Sequence, residues 1–269
     1  PLAAADGIEW GSRRLDLAIL GLFVSPATVG IYYVAQQVAS LPQKLKTSFD
    51  PILGPVITRK LETGDRAAVA RQVSQVGFWI IAAQTGIALA LGIPGEGLMG
   101  LFGPKGVFVG GNGALAFLLL AEVAAAVAVV SEAALVYIAR HRNFLISGAM
   151  VAFQTALTFL FLIAARQQNF PELYQAALPA VALAISLGLA SLVKANLAAR
   201  LLGAPVSVWR WPLVWASVAA ATTGSIAIRL PEWAELTFGI PAILLAYGVV
   251  IWRWGFAEED RALFRKTSA

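Results

Sequence analysis

The 269-residue sequence contains no cysteine and only one histidine. Without cysteine the chain can form neither a disulfide nor a thiolate metal site, and His141 alone cannot build a histidine cluster. The sequence also lacks a glycine-rich phosphate loop and any Ser-His-Asp arrangement. We therefore expect no metal, no cofactor and no enzymatic activity.

Charged residues are scarce as well. They make up 13% of the chain, whereas hydrophobic residues make up 59% and the mean hydropathy is +0.75. A typical soluble domain has about a quarter charged residues, so this composition predicts an all-α, polytopic membrane helix bundle with the lipid bilayer as its surroundings. The pI of 9.8 could suggest nucleic acid, but in a membrane chain the position of the charges matters more, and we expect no nucleic-acid partner.

Eight segments are apolar and long enough to cross a bilayer, which takes about 20 residues. The first is weak because several charges interrupt it. Turn residues such as Ser25-Pro26 and Leu230-Pro231 separate the segments, and a long glycine-rich loop follows the third. The predicted segments are 8–24, 27–57, 70–93, 112–139, 143–165, 174–201, 211–229 and 236–254.

Lysine and arginine are distributed unequally between the two sets of segment ends. Thirteen lie at one set, and only Lys105, Arg166 and Arg229 lie at the other. Because cytoplasmic loops carry the excess of positive charge, we expect the first set and the C-terminal tail to be cytoplasmic. Tryptophans typical of interfacial anchors flank segments on the same side: Trp209, Trp211, Trp252 and Trp254.

A polar stripe follows the second segment. Its members recur at steps of three and four residues, which places them within a sector of about 100° on a helix. Hydrocarbon cannot satisfy polar side chains, so we expect the stripe to face other helices or an aqueous cavity. The stripe consists of Tyr33, Gln36, Ser40, Gln43, Thr47 and Asp50.

A charged cluster interrupts the first segment. Glu9, Arg13 and Asp16 are four and three residues apart and share one helix face, while Arg14 points about 100° away. Two interpretations are open. The cluster is either a solvated entry to the helix, or, if the helix began before Pro1, a buried site near the middle of the membrane.

Charges also lie in the lower half of the second segment. Lys46 can pair with Asp50 four residues later, or Lys44 and Lys46 can extend to the cytoplasmic surface. Pro42 removes a backbone hydrogen bond and is expected to bend the helix beside them.

Two acids lie inside the fourth segment. Glu122 and Glu132 are ten residues apart, so they lie on adjoining faces at different depths. Each could bind a proton or a cation, but pairing with Arg13 or a lysine explains them equally well. Weaker polar positions follow in the next two segments: Gln154, Thr158, Ser186, Ser191 and Lys194.

The string RRLDLAILGLFVSPATVGIYYVAQQVASLP and the later DPILGPVITRKLETGD resemble the polysaccharide and lipid-linked oligosaccharide flippases of the multidrug/oligosaccharidyl-lipid/polysaccharide exporter superfamily. A second stretch, LMGLFGPKGV at 98–107, is similar to a turn of that family but lacks its tyrosine. The motifs cover about the first 140 residues. They are carried by Asp16, the LGLF run at 20–23, Gly30, Tyr32, Ala35, Pro55 and Ile57.

The resemblance implies two six-helix halves followed by two additional helices. On that basis residues 1–202 would be the second six-helix half and residues 203–269 the additional pair with its cytoplasmic tail. The chain would then be part of a longer multi-pass protein of the bacterial cytoplasmic (inner) membrane, and its N-terminal half would be a partner in forming the cavity.

The resemblance also implies a function: translocation of a lipid-linked oligosaccharide or polysaccharide precursor by gradient-coupled alternating access. Basic side chains would attract the diphosphate of the lipid carrier, and the polar stripe would line the sugar path. The expected substrate-binding residues are Arg13, Arg14, Asp16, Tyr33, Gln36, Gln43, Lys44 and Lys46. The expected ion-coupling residues are Glu122, Glu132 and Asp50.

Three alternatives stay open. A drug or small-molecule exporter of the same superfamily would favour acids and aromatics in its cavity. A non-transporting scaffold subunit would need no cavity. A membrane enzyme acting on polyprenyl lipids would need a catalytic acid or an Asp-rich loop at an interface, and the loops offer none.

Overall fold

The computed structural model describes residues 15–47, 57–62, 64–103, 106–257 and 260. Within these ranges the chain is helical and contains no β-strand. The expected all-α class is therefore confirmed. Arg13, Arg14 and Asp50 lie outside the described residues, so the roles expected of them stay predictions.

The described chain consists mainly of long helices that are joined by short turns. Residues 15–20 and 57–62 are also helical. The last helix begins with a single turn, Glu232–Ala234, and a wider π turn, Glu235–Gly239. The labelled helices are α1 (Pro26–Thr47), α2 (Arg66–Gly92), α3 (Gly95–Gly100), α4 (Asn112–Ile138), α5 (Arg140–Gln167), α6 (Glu172–Leu202), α7 (Pro212–Ala227) and α8 (Ile240–Trp254).

Five helices of the described part are long and apolar enough to cross a bilayer, and α7 is a shorter apolar helix. The five are Arg66–Gly92, Val109–Ile138, Arg140–Gln167, Glu172–Leu202 and Glu232–Trp254. They are compatible with a multi-pass membrane protein.

The count of eight spans is not confirmed. Residues 8–14 of the segment expected at 8–24 lie outside the described residues, and α1 is not among the five apolar helices. The same polar residues that define the stripe lower the hydropathy of α1. The long loop expected after the third segment is partly ordered, because it contains α3 and a 3-10 turn at Val109–Gly111.

The most extensive packing in the bundle is between α4 and α6. Their facing surfaces are rich in alanine, which lets helix backbones approach closely where no large side chain intervenes. Buried examples are Ala121 on α4 and Ala180 on α6, which belong to one apolar cluster. The α4–α6 contact is therefore the centre of the described bundle.

The remaining helices surround this pair. α5 packs chiefly on α6, α1 packs on α4, and α2 packs on α4. α7 and α8 pair with each other and lie against α2. A buried apolar cluster joins these last three helices through Phe78, Ala216, Ala220, Ile243 and Tyr247.

One end of the bundle carries most of the described arginines, and we call it the basic end. Arg66 begins α2, Arg140 begins α5, Arg200 lies in the last turn of α6, and Arg253 lies in the last turn of α8. Which side of a membrane this end faces stays a prediction.

Candidate functional site

A buried carboxylate lies between three helical segments. Asp16, in the helical stretch 15–20, has only 1% of its surface exposed. Gln154 of α5 donates a hydrogen bond from Nε2 to Oδ1 of Asp16 over 2.8 Å. The hydroxyl of Tyr32 in α1 donates to Oδ2 over 3.3 Å. We call Asp16, Tyr32 and Gln154 the Asp16 centre.

The Asp16 centre forms because the chain reverses direction between Asp16 and Tyr32. Residues 21–25 make a turn, and α1 begins at Pro26. A glutamate from a third helix holds this turn. One carboxylate oxygen of Glu172 accepts hydrogen bonds from the Ser25 amide at 3.2 Å, the Ser25 hydroxyl at 2.6 Å and the Thr28 hydroxyl at 2.9 Å. Glu172 thereby caps the start of α1 from outside that helix.

A second polar group lies near the basic end, where α4 and α6 finish and α5 begins. The ammonium of Lys194 lies 2.8 Å from Oε2 of Glu132 and donates to the Ser147 hydroxyl at 2.9 Å. The Asn143 side-chain amide donates to Oε1 of Glu132 at 2.9 Å. The Lys194 side chain is 6% exposed and that of Glu132 is 30% exposed. We call these four residues the Lys194 centre.

Helix α5 contributes to both centres, and its polarity is the reverse of that of a soluble surface helix. Asn143, Gln154 and Thr158 are buried and Ser147 is partly buried. The opposite face is apolar and exposed: Leu145 and Leu160 are 68% and 61% exposed. A helix with polar side chains inward and apolar side chains outward is typical of a membrane bundle.

The two centres lie at different depths. Gln154 lies near the middle of α5, whereas Asn143 lies in its first turn. Eleven residues separate them, which corresponds to about 16 Å along the helix. The Asp16 carboxylate therefore lies near mid-depth, far from both ends of α5. At that depth burial of an acid is most costly, and a functional role is the usual explanation.

A third hydrogen-bonded group joins α6 directly to the backbone of α4. The Ser191 hydroxyl donates to the carbonyl of Ala124 and accepts from the amide of Ala128 at 3.0 Å. These two backbone groups would bond each other in an uninterrupted helix. Ser191 therefore bridges one turn of α4 at the most closely packed helix contact.

The structure brings some of the expected site residues together and separates others. Asp16 is at the centre of a buried hydrogen-bonded group, and Glu132 forms the ion pair with a lysine that the sequence left open as one alternative. Glu122 is 2% exposed inside α4. Their expected binding and coupling roles stay predictions.

Only part of the polar stripe of α1 lies within the described structure. Tyr33 is 42% exposed, and Gln36 is partly buried. Ser40 donates a hydrogen bond to the Gln37 carbonyl at 2.7 Å. Thus Tyr33 does not face the interior of the described bundle. Gln43, Lys44 and Lys46 belong to the last turns of α1, but their side chains lie outside the described part of the structure.

Sequence reasoning gave too little weight to α5 and Lys194. The signal was present, because Asn143, Ser147, Gln154 and Thr158 are separated by four, seven and four residues, a spacing that places them on one helix face. Tyr32 was noted only as part of the family motif, and its bond to Asp16 depends on the turn between them.

At the basic end, the chain after α8 folds back onto α2. Asp260 is fully buried and accepts hydrogen bonds from Gln75 at 2.8 Å, from Trp79 at 3.2 Å and from the Ala257 amide at 2.9 Å. The guanidinium of Arg210 forms a close ion pair with Asp260. We call these residues the Asp260 cluster.

Arg210 is held from several sides. It donates to the Gly255 carbonyl at 2.8 Å and lies 4.0 Å from the centre of the Phe78 ring. Burial disfavours the charged form of Asp260, but its hydrogen bonds from Arg210, Ala257, Gln75 and Trp79 together outweigh this effect and hold the pKa of Asp260 below its ordinary value.

Among the described residues, no group of three or more histidines and acids is arranged to hold a metal ion. Comparison with protein-family models, with curated proteins and with solved structures finds no match for this chain. The relation to the flippases therefore stays a prediction from the motifs quoted above.

Proposed function

We propose that this chain is the cavity-forming part of a membrane transporter that translocates a lipid-linked oligosaccharide or polysaccharide precursor. The sugar and diphosphate would cross through a hydrated space next to the bundle, while the lipid tail stays in the bilayer. Access would alternate between the two sides, and an ion or proton gradient would supply the driving force.

The Asp16 centre is the observation that best supports this proposal. Its carboxylate lies within the first stretch that resembles the flippases, and Tyr32 belongs to the same stretch. A carboxylate in the interior of an apolar bundle costs several kcal/mol unless it is paired and hydrogen-bonded. Retaining such a group at mid-depth favours a role in binding or coupling over a role in stability.

The Lys194 centre supports a division of roles between the acids. Glu132 has a lysine partner 2.8 Å away, so the pair is neutral overall and holds three helices together. We propose that it positions α5 against α4 and α6, while Asp16 and Glu122 carry the coupling ion or proton. Arg13, Arg14, Lys44 and Lys46 would attract the diphosphate.

Transport of a fluorescent lipid-linked oligosaccharide across proteoliposomes tests the proposal. The natural protein is reconstituted and a gradient is applied. At successive times a membrane-impermeant reductant bleaches the fluorescent label of the lipid-linked sugar in the outer leaflet, so the remaining fluorescence measures translocated substrate. We expect gradient-dependent protection that is lost in Asp16→Asn and retained in Glu96→Gln, a matched acid-to-amide change at an exposed position.

Two results would contradict the proposal that the protein is a flippase. Protection equal to that of protein-free vesicles would favour the scaffold subunit. Gradient-dependent uptake of a cationic dye without any movement of the lipid-linked sugar would favour the small-molecule exporter, for which the buried acids Asp16 and Glu122 are the relevant feature.

A further inference from the structure

A shallow groove runs along the outer surface of the α7–α8 pair. Its volume is about 630 Å³, within the range of about 300–1,000 Å³ that is usual for small-molecule sites. The lining is apolar and rich in tryptophan, from Trp211, Trp215, Val218 and Ala219 on one side and Val250 and Trp254 on the other.

The groove lies next to the basic end of the bundle. Its lining residues belong to the first two turns of α7 and the last turns of α8. α7 has only 16 residues, which is about 24 Å of helix, whereas a hydrocarbon core is about 30 Å thick. The groove lies beside this short helix.

The lining indicates an occupant with a long apolar part. Trp211, Trp215 and Trp254 are each more than 60% exposed, although they project from apolar helices. In a bilayer such side chains lie at the level where acyl chains meet head groups. A chain of methylene groups is the ligand that such a surface accommodates without leaving polar groups unpaired.

The charges beside the groove indicate the head group. Arg210 precedes Trp211, but its guanidinium is paired with Asp260. Arg253 lies between the groove and Trp252, about 60° around the helix from Val250, and it is exposed. The Arg210–Asp260 pair is neutral overall, so the net charge of the described residues next to the groove is positive. A positive charge at this position complements a lipid phosphate.

We propose that this groove binds one acyl chain of an anionic glycerophospholipid, with the lipid phosphate at Arg253. The lipid belongs to the leaflet in contact with the basic end. It fills the space beside the short α7 and fixes the α7–α8 pair at a defined depth. This inference does not depend on what the protein transports.

Lipid retention measured by native mass spectrometry tests the proposal. The natural protein is taken from vesicles of equal phosphatidylglycerol and phosphatidylcholine and is gradually delipidated. We expect one phosphatidylglycerol to persist with a preference of about fivefold, the effect of one basic side chain near an anionic head group. Ala219→Trp fills the groove and abolishes retention, whereas Leu245→Trp, on an exposed position of α8 outside the groove, leaves it unchanged.

A second pair of variants tests the head-group contact. Arg253→Gln should abolish the preference for phosphatidylglycerol over phosphatidylcholine, while Arg229→Gln at the opposite end should not change it. If Ala219→Trp fails to fold, Val218→Trp fills the groove from a neighbouring position. Equal retention of the two lipids by the natural protein, unchanged retention in the folded groove-filling variant, or stronger retention of added undecaprenyl phosphate would overturn the proposal.

Discussion

The ammonium of Lys194 lies 2.8 Å from a carboxylate oxygen of Glu132, although 62 residues separate them in the chain. The pair joins the last turns of α4 and α6, and Asn143 and Ser147 extend it to the first turns of α5. Three helices that would otherwise contact one another mainly through alanine and other apolar side chains are thereby given a specific register.

Removing the lysine alone is expected to destabilise the bundle. Lys194→Met leaves Glu132 without its counter-charge, and loss of one partner of a largely buried pair costs about 3 kcal/mol. Thermal unfolding in detergent, followed by intrinsic tryptophan fluorescence, measures the change. Arg142→Gln, at an exposed position near the start of α5, should alter stability by less than about 0.5 kcal/mol.

The double variant separates ion pairing from packing. Lys194→Met combined with Glu132→Gln removes both charges, so it should recover most of the stability lost in the single variant. Additive losses in this double-mutant cycle would show that the two side chains do not interact across the helix contact.

Gln154 is expected to matter for both stability and transport. Gln154→Leu removes the 2.8 Å donor to the Asp16 carboxylate, and a hydrogen bond to a charged group is worth about 1.5–3 kcal/mol. Unfolding should therefore occur at lower temperature, and transport in the vesicle assay should fall with it. Thr155→Val is the matched control, because the Thr155 hydroxyl donates to the Val151 carbonyl of its own helix. Equal unfolding temperatures and equal transport rates in the two variants would show that Gln154 has no role in the site.

The positions of the long helices were predictable from the sequence. The segments expected at 112–139 and 174–201 agree with Asn112–Ile138 and Glu172–Leu202 to within a few residues. Long apolar runs bounded by proline and glycine define such helices locally, because every backbone group in hydrocarbon must be bonded within its own helix. No knowledge of neighbouring helices is needed for that step.

The orientation of the helices about their own axes was harder to predict. Tyr32 and Tyr33 are adjacent, yet Tyr32 is fully buried and Tyr33 is 42% exposed. Neighbouring residues point about 100° apart, so a small rotation of α1 decides which tyrosine meets Asp16. The polar stripe gave a face for α1, but only the packing of α1 on α4 determines where that face points.

The pairing of charges was also beyond the sequence. Glu132 could have paired with Arg13 or with any of several lysines, and nothing local distinguishes Lys194 from the rest. The Asp260 cluster shows the same limit, because its members Gln75, Arg210 and Asp260 come from three distant parts of the chain. Contacts of this kind follow from the arrangement of helices rather than from the pattern of any one of them.

Close packing of α4 on α6 makes a specific prediction about alanine. Ala121→Leu places a large side chain at a fully buried position of α4, in the same buried cluster as Ala180 of α6, and should destabilise the bundle by about 1–3 kcal/mol, since neighbouring side chains must move. Ala152→Leu on the exposed face of α5 should have almost no effect. Thermal unfolding of the two variants in the same detergent decides, and equal stability would contradict the close α4–α6 contact.

The Asp260 cluster predicts a loss of stability in acid. The pKa of Asp260 lies below its ordinary value of 3.8 in the folded protein. Its contribution is therefore complete above that value and is lost as the pH falls through the lowered pKa. Between about pH 5 and pH 3 the natural protein should lose more stability than Asp260→Asn, which is less stable at neutral pH by about 1–3 kcal/mol.

The acid experiment includes its own control, because other carboxylates also titrate in this range. Glu62→Gln changes an exposed acid outside the Asp260 cluster and should keep the full pH dependence of the natural protein. Unfolding temperatures at the two pH values give the comparison directly. If Asp260→Asn and the natural protein lost the same stability on acidification, Asp260 would not be the ionised partner of Arg210, and the segment after α8 would be held to α2 by Phe256 packing on Trp79 instead.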